Sequence, residues 1–231
     1  MIINICGVRD SDNISAVSDL DIDWIGFVFW QESPRYVRQI SSRAGTIPDY
    51  SSLKEDPVLI KDASGERISR VGVFVNDMPQ TIVTRVVNYH LDVMQLHGDE
   101  SPTMMENLRR TLDPDIRPGI KLMKTIYIKD VNDLKACRDY SHTTDYFLFE
   151  PKITNDERGS LNLELLTAYD GDVPFMVGGN IGMEDVEGLC GIEHPLFAGI
   201  NIESGFETEY AVKDVQQLKI FVERIREMER K

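Results

Sequence analysis

The chain has 231 residues, 42% of them hydrophobic, enough to fill one sizeable core. Its formal net charge of −14 excludes the Lys/Arg stripes that a phosphate backbone requires, so no nucleic-acid partner is expected. No apolar run reaches the length of about 18 residues that a membrane span needs. The opening segment MIINICGVRD also lacks the basic and apolar regions of a signal peptide, so a cytoplasmic protein is expected.

Apolar runs of strand length recur in order at Ile2–Cys6, Trp24–Phe29, Val71–Val75, Val93–Leu96, Ile120–Thr125, Tyr146–Phe149, Phe175–Val177 and Leu196–Ile202. Helical periodicity lies between them. Gln80–Tyr89 carries Ile82, Val83, Val86 and Val87 on one side, and Val215–Met228 carries Leu218, Phe221, Val222, Ile225 and Met228. Ser101-Pro102 offers an N-cap followed by proline in the first turn, and Asp214 caps the last helix. Runs such as IGFVF and VGVFV fit a parallel sheet covered by helices on one face and by a packed interior on the other. Eight such alternations predict an α/β fold, a (β/α)8 TIM barrel, as a single domain over 1–231. A doubly wound open sheet is the alternative, disfavoured because no glycine-rich dinucleotide fingerprint is present. Residues 36–70 break the rhythm with Pro48, Ser51, Ser52, Pro57 and Gly65. This region is read as an irregular insertion with a shortened or displaced second helix; a lid over the site is the other reading.

Barrel enzymes carry their chemistry at the C-terminal strand ends. That rule selects Cys6-Gly7, Phe29–Arg35, Asn76, Gln95–Asp99, Lys124, Glu150, Gly178–Asn180 and Asn201–Gly205. Cys6 is either a small buried residue or, with a lowered pKa, a nucleophile or proton-transfer base. Cys6, Cys137 and Cys190 are far apart and form no CxxC pair, which suggests neither a disulfide framework nor a zinc site. Glu150, after the apolar run FLF, is either a rim carboxylate or the acid partner of Cys6 in proton transfer at carbon and oxygen. Arg35 is a candidate to hold a carboxylate in a two-pronged grip, with a solvated loop arginine as its plainer reading. His97 either donates to a ligand or orients its loop. Gly178, Gly179, Ser204 and Gly205 end the seventh and eighth strands, where barrels often bind phosphate through backbone amides. Because the chain is acidic overall, any phosphate site must be local.

Together these motifs resemble the phosphoribosylanthranilate isomerase family of tryptophan biosynthesis. They are ICG at Ile5–Gly7, WIGFVF at Trp24–Phe29, SPRYV at Ser33–Val37, VGVFVN at Val71–Asn76, QLHGDE at Gln95–Glu100, SGFE at Ser204–Glu207 and VKD at Val212–Asp214. The resemblance implies a cytoplasmic enzyme, monomeric or homodimeric, acting on a phosphorylated small molecule by an Amadori rearrangement without cofactor or metal. It makes Cys6 the base, Arg35 the holder of the anthranilate carboxylate, and Glu150 the counterpart of the family's general-acid aspartate. Several positions depart from the family's pattern. Asn4 stands where lysine is usual, Glu157-Arg158-Gly159-Ser160 replaces a glycine-rich loop, and polar Asn180 follows the glycine pair. Asn201-Ile202-Glu203-Ser204-Gly205 stands where DVSSG is usual. A diverged barrel that binds a phosphosugar-like ligand without this activity is the alternative reading.

Overall fold

The computed structural model describes residues 1–38, 67–152, 159 and 161–230. Most of the expected insertion therefore lies outside the described residues. Eight parallel strands close into a barrel in sequence order. They are β1 (Ile2–Ile5), β2 (Trp24–Val28), β3 (Ser69–Phe74), β4 (Val93–Leu96), β5 (Lys121–Ile128), β6 (Tyr146–Pro151), β7 (Phe175–Val177) and β8 (Phe197–Ile202). Register carries β8 back onto β1, with Asn201 opposite Asn4. The open-sheet alternative is thereby set aside.

Among the described residues the α-helices are α1 (Ser11–Ser18), α2 (Pro79–Tyr89), α3 (Pro102–Leu112), the short α4 (Cys137–Tyr140) and α5 (Val186–Cys190), and α6 (Val215–Glu229), which follows the last strand. Expected caps form: Ser101 Oγ accepts from the Met104 amide and Asp214 Oδ1 from that of Gln217. No helix among the described residues is long and apolar enough to cross a membrane.

Strand alternation sorts side chains into two packed regions. Ile3, Ile5, Ile25, Phe74, Met94 and Phe147 face the helices and join the large outer core. Trp24, Val71, Val93, Met123, Leu148 and Met176 pack together as a second cluster that fills the barrel interior. Cys6, Val28 and Val73 form a third. Gly26 makes room for the thiol, since a Cβ there would stand 2.7 Å from Cys6 Sγ.

Strand β5 runs three residues beyond the expected Thr125, and this corrects one expectation. Lys124 does not end a strand at the site. It is buried, and its Nζ lies 3.1 Å from Glu100 Oε2 and also bonds the Gly98 carbonyl. Glu100 Oε1 in turn accepts from the amides of Asn76 and Gly98. QLHGDE is thus a knot joining the ends of β3, β4 and β5. A second departure follows β8, where Glu207–Glu209 (β9) pairs antiparallel with Val212–Lys213 (β10). This hairpin carries SGFE and VKD.

Candidate active site

At the C-terminal mouth a cavity of about 1300 Å³ is walled by residues from β2, β4, β5, β6, β7 and β8 and the turns after them. Arg35, His97, Glu150, Gly179, Ser204 and Gly205 line it, as the sequence predicted. Cys6 lies behind the wall, 2% exposed, against Val28 and Val73. Gly178 is a supporting residue, since a Cβ there would stand 2.9 Å from Glu150 Oε1 and 3.1 Å from its Cγ. Only glycine leaves that carboxylate its place.

Glu150 projects from β6 with its side chain 16% exposed, and Oε2 lies 3.9 Å from His97 Nε2. Burial, reinforced by the charge of Glu203, raises its pKa from 4.5 to about 8. Near neutral pH this favours the carboxylic acid, the form able to donate a proton. His97 is driven the other way, to about 4, by burial and by Lys124. Its Nδ1 lies 3.1 Å from Gln95 Nε2 and 3.0 Å from Thr125 Oγ1, which fixes the ring. Burial, then Glu203, also pushes the Cys6 thiol up, while Lys213 and Arg35 pull it toward the thiolate.

Arg35 is held by the hairpin. Its Nε and Nη2 donate to Glu207 Oε1 and Oε2 at 2.8 and 2.6 Å, and the guanidinium lies over the Tyr210 ring. Lys213, fully buried, adds a bond of 2.9 Å to Glu207 Oε1. Burial alone would raise the Glu207 carboxyl; the Arg35 hydrogen bond and the Lys213 charge override it and hold the group below the usual carboxylate range.

The glycine-rich ends of β7 and β8 face one another, joined by Ser204 Oγ donating to Asn180 Oδ1 at 3.2 Å. Gly205 is obligatory, since a Cβ would fall 1.8 Å from the Ile181 carbonyl, and Gly179 takes a φ of +112°. The amides of Gly179, Asn180, Ser204 and Gly205 have no hydrogen-bond acceptor among the described residues. Beneath the mouth, Asn4 Nδ2 donates to Asn201 Oδ1 at 2.6 Å, so the two asparagine departures form one buried pair. Among the described residues no group of three or more His, Cys, Asp or Glu side chains is arranged to hold a metal ion.

Tyr127, Glu207 and Lys213 were not singled out as site residues from the sequence. Tyr127 stands at the mouth because β5 is long; the strand-forming residues Ile126, Tyr127 and Ile128 were its signal. Glu207 and Lys213 lay within matched motifs, with nothing local to pair them with Arg35.

A closed eight-stranded barrel with a raised-pKa carboxyl, a buried thiol and a set of open amides near one mouth has the architecture of a barrel enzyme. Comparison with known proteins narrows the class. The family model for N-(5'-phosphoribosyl)anthranilate (PRA) isomerase matches residues 3–224, and the chain belongs to that family. The N-(5'-phosphoribosyl)anthranilate isomerase of Parabacteroides distasonis is 34% identical over 97% of this chain and 93% of its own. That of Phocaeicola vulgatus is 31% identical over 98% of each. Among solved structures, phosphoribosyl anthranilate isomerase from Thermus thermophilus shares the fold with a TM-score of 0.74 at 21% identity, covering 99% of this chain and 100% of its own.

Proposed function

We propose that this protein is a phosphoribosylanthranilate isomerase of tryptophan biosynthesis. It converts N-(5'-phosphoribosyl)anthranilate into 1-(2-carboxyphenylamino)-1-deoxyribulose 5-phosphate. Family membership along nearly the whole chain supports the reaction. The observation that carries the residue assignment is the carboxyl of Glu150, kept protonated in the pocket wall.

Glu150 gives its proton to the ribose ring oxygen as the C1'–O bond breaks, leaving a C1'–nitrogen iminium. Cys6, as the thiolate, removes the proton from C2'. The freed electron pair forms the C1'–C2' double bond of an enolamine, which tautomerises to the ketose. One proton leaves carbon and one reaches oxygen, so the step balances without an electron donor or acceptor. In the free protein burial and the charge of Glu203 outweigh the pull of Lys213 and Arg35 and hold the Cys6 thiol above its ordinary range, so this role requires Cys6 to lose its proton once the ligand is seated. The end-on edge of Arg35 takes the anthranilate carboxylate. The open amides of Gly179, Asn180, Ser204 and Gly205 take the phosphate, an assignment that does not depend on side-chain charge. A cytoplasmic location, with three unpaired cysteines in a reducing compartment, and a monomeric or homodimeric state accompany this reading.

The alternative, a barrel that binds a phosphosugar without turning it over, draws on the depth at which Cys6 is buried. Complementation separates the two. Expression is expected to rescue a tryptophan auxotroph lacking the isomerase, and Cys6→Ala or Glu150→Ala to abolish rescue. Folded wild-type protein that fails to rescue would sink the isomerase reading.

A further inference from the structure

Arg35 has two donor edges. Nε and Nη2 are committed to Glu207. The end-on edge is left, and Glu203 Oε2 stands 3.9 Å from its Nη1. That separation is an ion pair without a direct hydrogen bond. Among the described residues, Arg35 is the one cation within 4.0 Å of the Glu203 carboxylate. Lys213 is nearby, but its Nζ is directed at the carboxylate of Glu207 and the backbone carbonyl of Glu203.

Glu203 follows the end of β8 and leans toward β1. Its Cγ and Oε1 would lie 3.2 and 3.3 Å from a Cβ at Gly7, and Arg35 Cδ 2.6 Å from the same point. Arg35 and Glu203 together therefore cover the strand end that carries Cys6. Glu203 lines the cavity and is 37% exposed at its side chain, whereas Arg35 is 12% exposed and bonded to the hairpin through Glu207.

We propose that Glu203 is a specificity-determining residue: its carboxylate stands at ion-pair distance from the end-on edge of Arg35 in the free protein, and a ligand's carboxylate must push it aside. This rests on the isomerase reading and adds an internal competitor to it. A ligand that brings a carboxylate to that edge contends both with the existing pair and with the charge of Glu203 once displaced. A ligand of the same shape without the carboxylate does neither. Glu203 thus tunes how strongly the site favours an ortho-carboxylated aromatic ring, by opposition rather than attraction.

The test titrates two ligands by calorimetry into wild type, Glu203→Gln and Glu203→Ser. One is reduced 1-(o-carboxyphenylamino)-1-deoxyribulose 5-phosphate, and the other is its phenylamino counterpart lacking the carboxylate. Both variants are expected to bind the carboxylated ligand about fivefold or more tighter than wild type, while the other ligand shifts by less than about twofold. Equal shifts for the two ligands would place the effect of Glu203 elsewhere, on the phosphate or on the general field, and overturn the inference. No shift for either would overturn it too. Wild-type protein that binds neither ligand would contradict the isomerase reading itself, and this inference with it.

Discussion

His97 Nε2 lies 3.9 Å from Glu150 Oε2, and burial favours the neutral form of each, lowering the histidine to about 4 and raising the carboxyl to about 8. This is a geometry in which an ion pair would be expected, yet burial drives the two groups to their neutral forms from opposite sides. The carboxyl keeps the proton that the proposed reaction requires, and the histidine does not compete for it.

The state of Glu150 predicts a pH signature. Activity that depends on its proton falls as pH rises through about 8. The same group acts on stability. Its folded pKa lies above its value of 4.5 in the open chain, so the native state binds more protons between those values. Its contribution is fully present below pH 4.5 and is lost as pH rises through about 8. Thermal unfolding at pH 5 and pH 9 checks this, and Glu150→Gln is expected to narrow the difference between the two melting temperatures.

His97 carries the opposite sign. Its folded pKa of about 4 lies below the ordinary 6.5, so the stability tied to its neutral form is present above pH 6.5 and lost as pH falls toward 4. His97→Asn is expected to flatten the decline in melting temperature between pH 7 and pH 4.5.

Gly178 supports Glu150 sterically. Gly178→Ala introduces a Cβ 2.9 Å from Oε1 and is expected to displace the carboxyl. A displacement of about 1 Å is expected to lower kcat by roughly 100-fold, with a smaller change in KM because the groups proposed to hold phosphate and carboxylate are untouched. Steady-state kinetics on the variant measures the split.

The pair of Lys124 and Glu100 predicts a loss of stability. Both are buried, 3.1 Å apart, and Glu100 also holds two backbone amides. Glu100→Ala leaves Lys124 buried without its carboxylate and is expected to lower the unfolding free energy by about 3–5 kcal/mol. Urea denaturation gives the value.

The barrel was legible because its strands are apolar runs of the right length and number, a local pattern. The strand-end rule likewise brought Arg35, His97, Glu150 and the β7–β8 glycines to one mouth, because a parallel barrel leaves little choice of end. Lys124 lies away from the site because β5 runs on to Ile128, which moves the strand end, and because alternation puts Lys124 on the outer face with Leu122 and Ile126. The Arg35–Glu207–Lys213 network was not legible, since its partners are far apart in the chain and meet through a hairpin that no periodicity announces. QLHGDE signalled family membership, yet three of its residues carry different duties: His97 faces the pocket, Gln95 braces it, and Glu100 ties three strand ends together.

The central claim is tested most directly by following the purified protein's conversion of N-(5'-phosphoribosyl)anthranilate to the ketose by chromatography, alongside Cys6→Ala and Glu150→Ala. The account predicts turnover by the wild type. It also predicts a loss of about 100-fold or more in kcat for each variant, with circular dichroism unchanged. Folded wild-type protein that leaves the substrate untouched, or variants that turn it over at the wild-type rate, would contradict it.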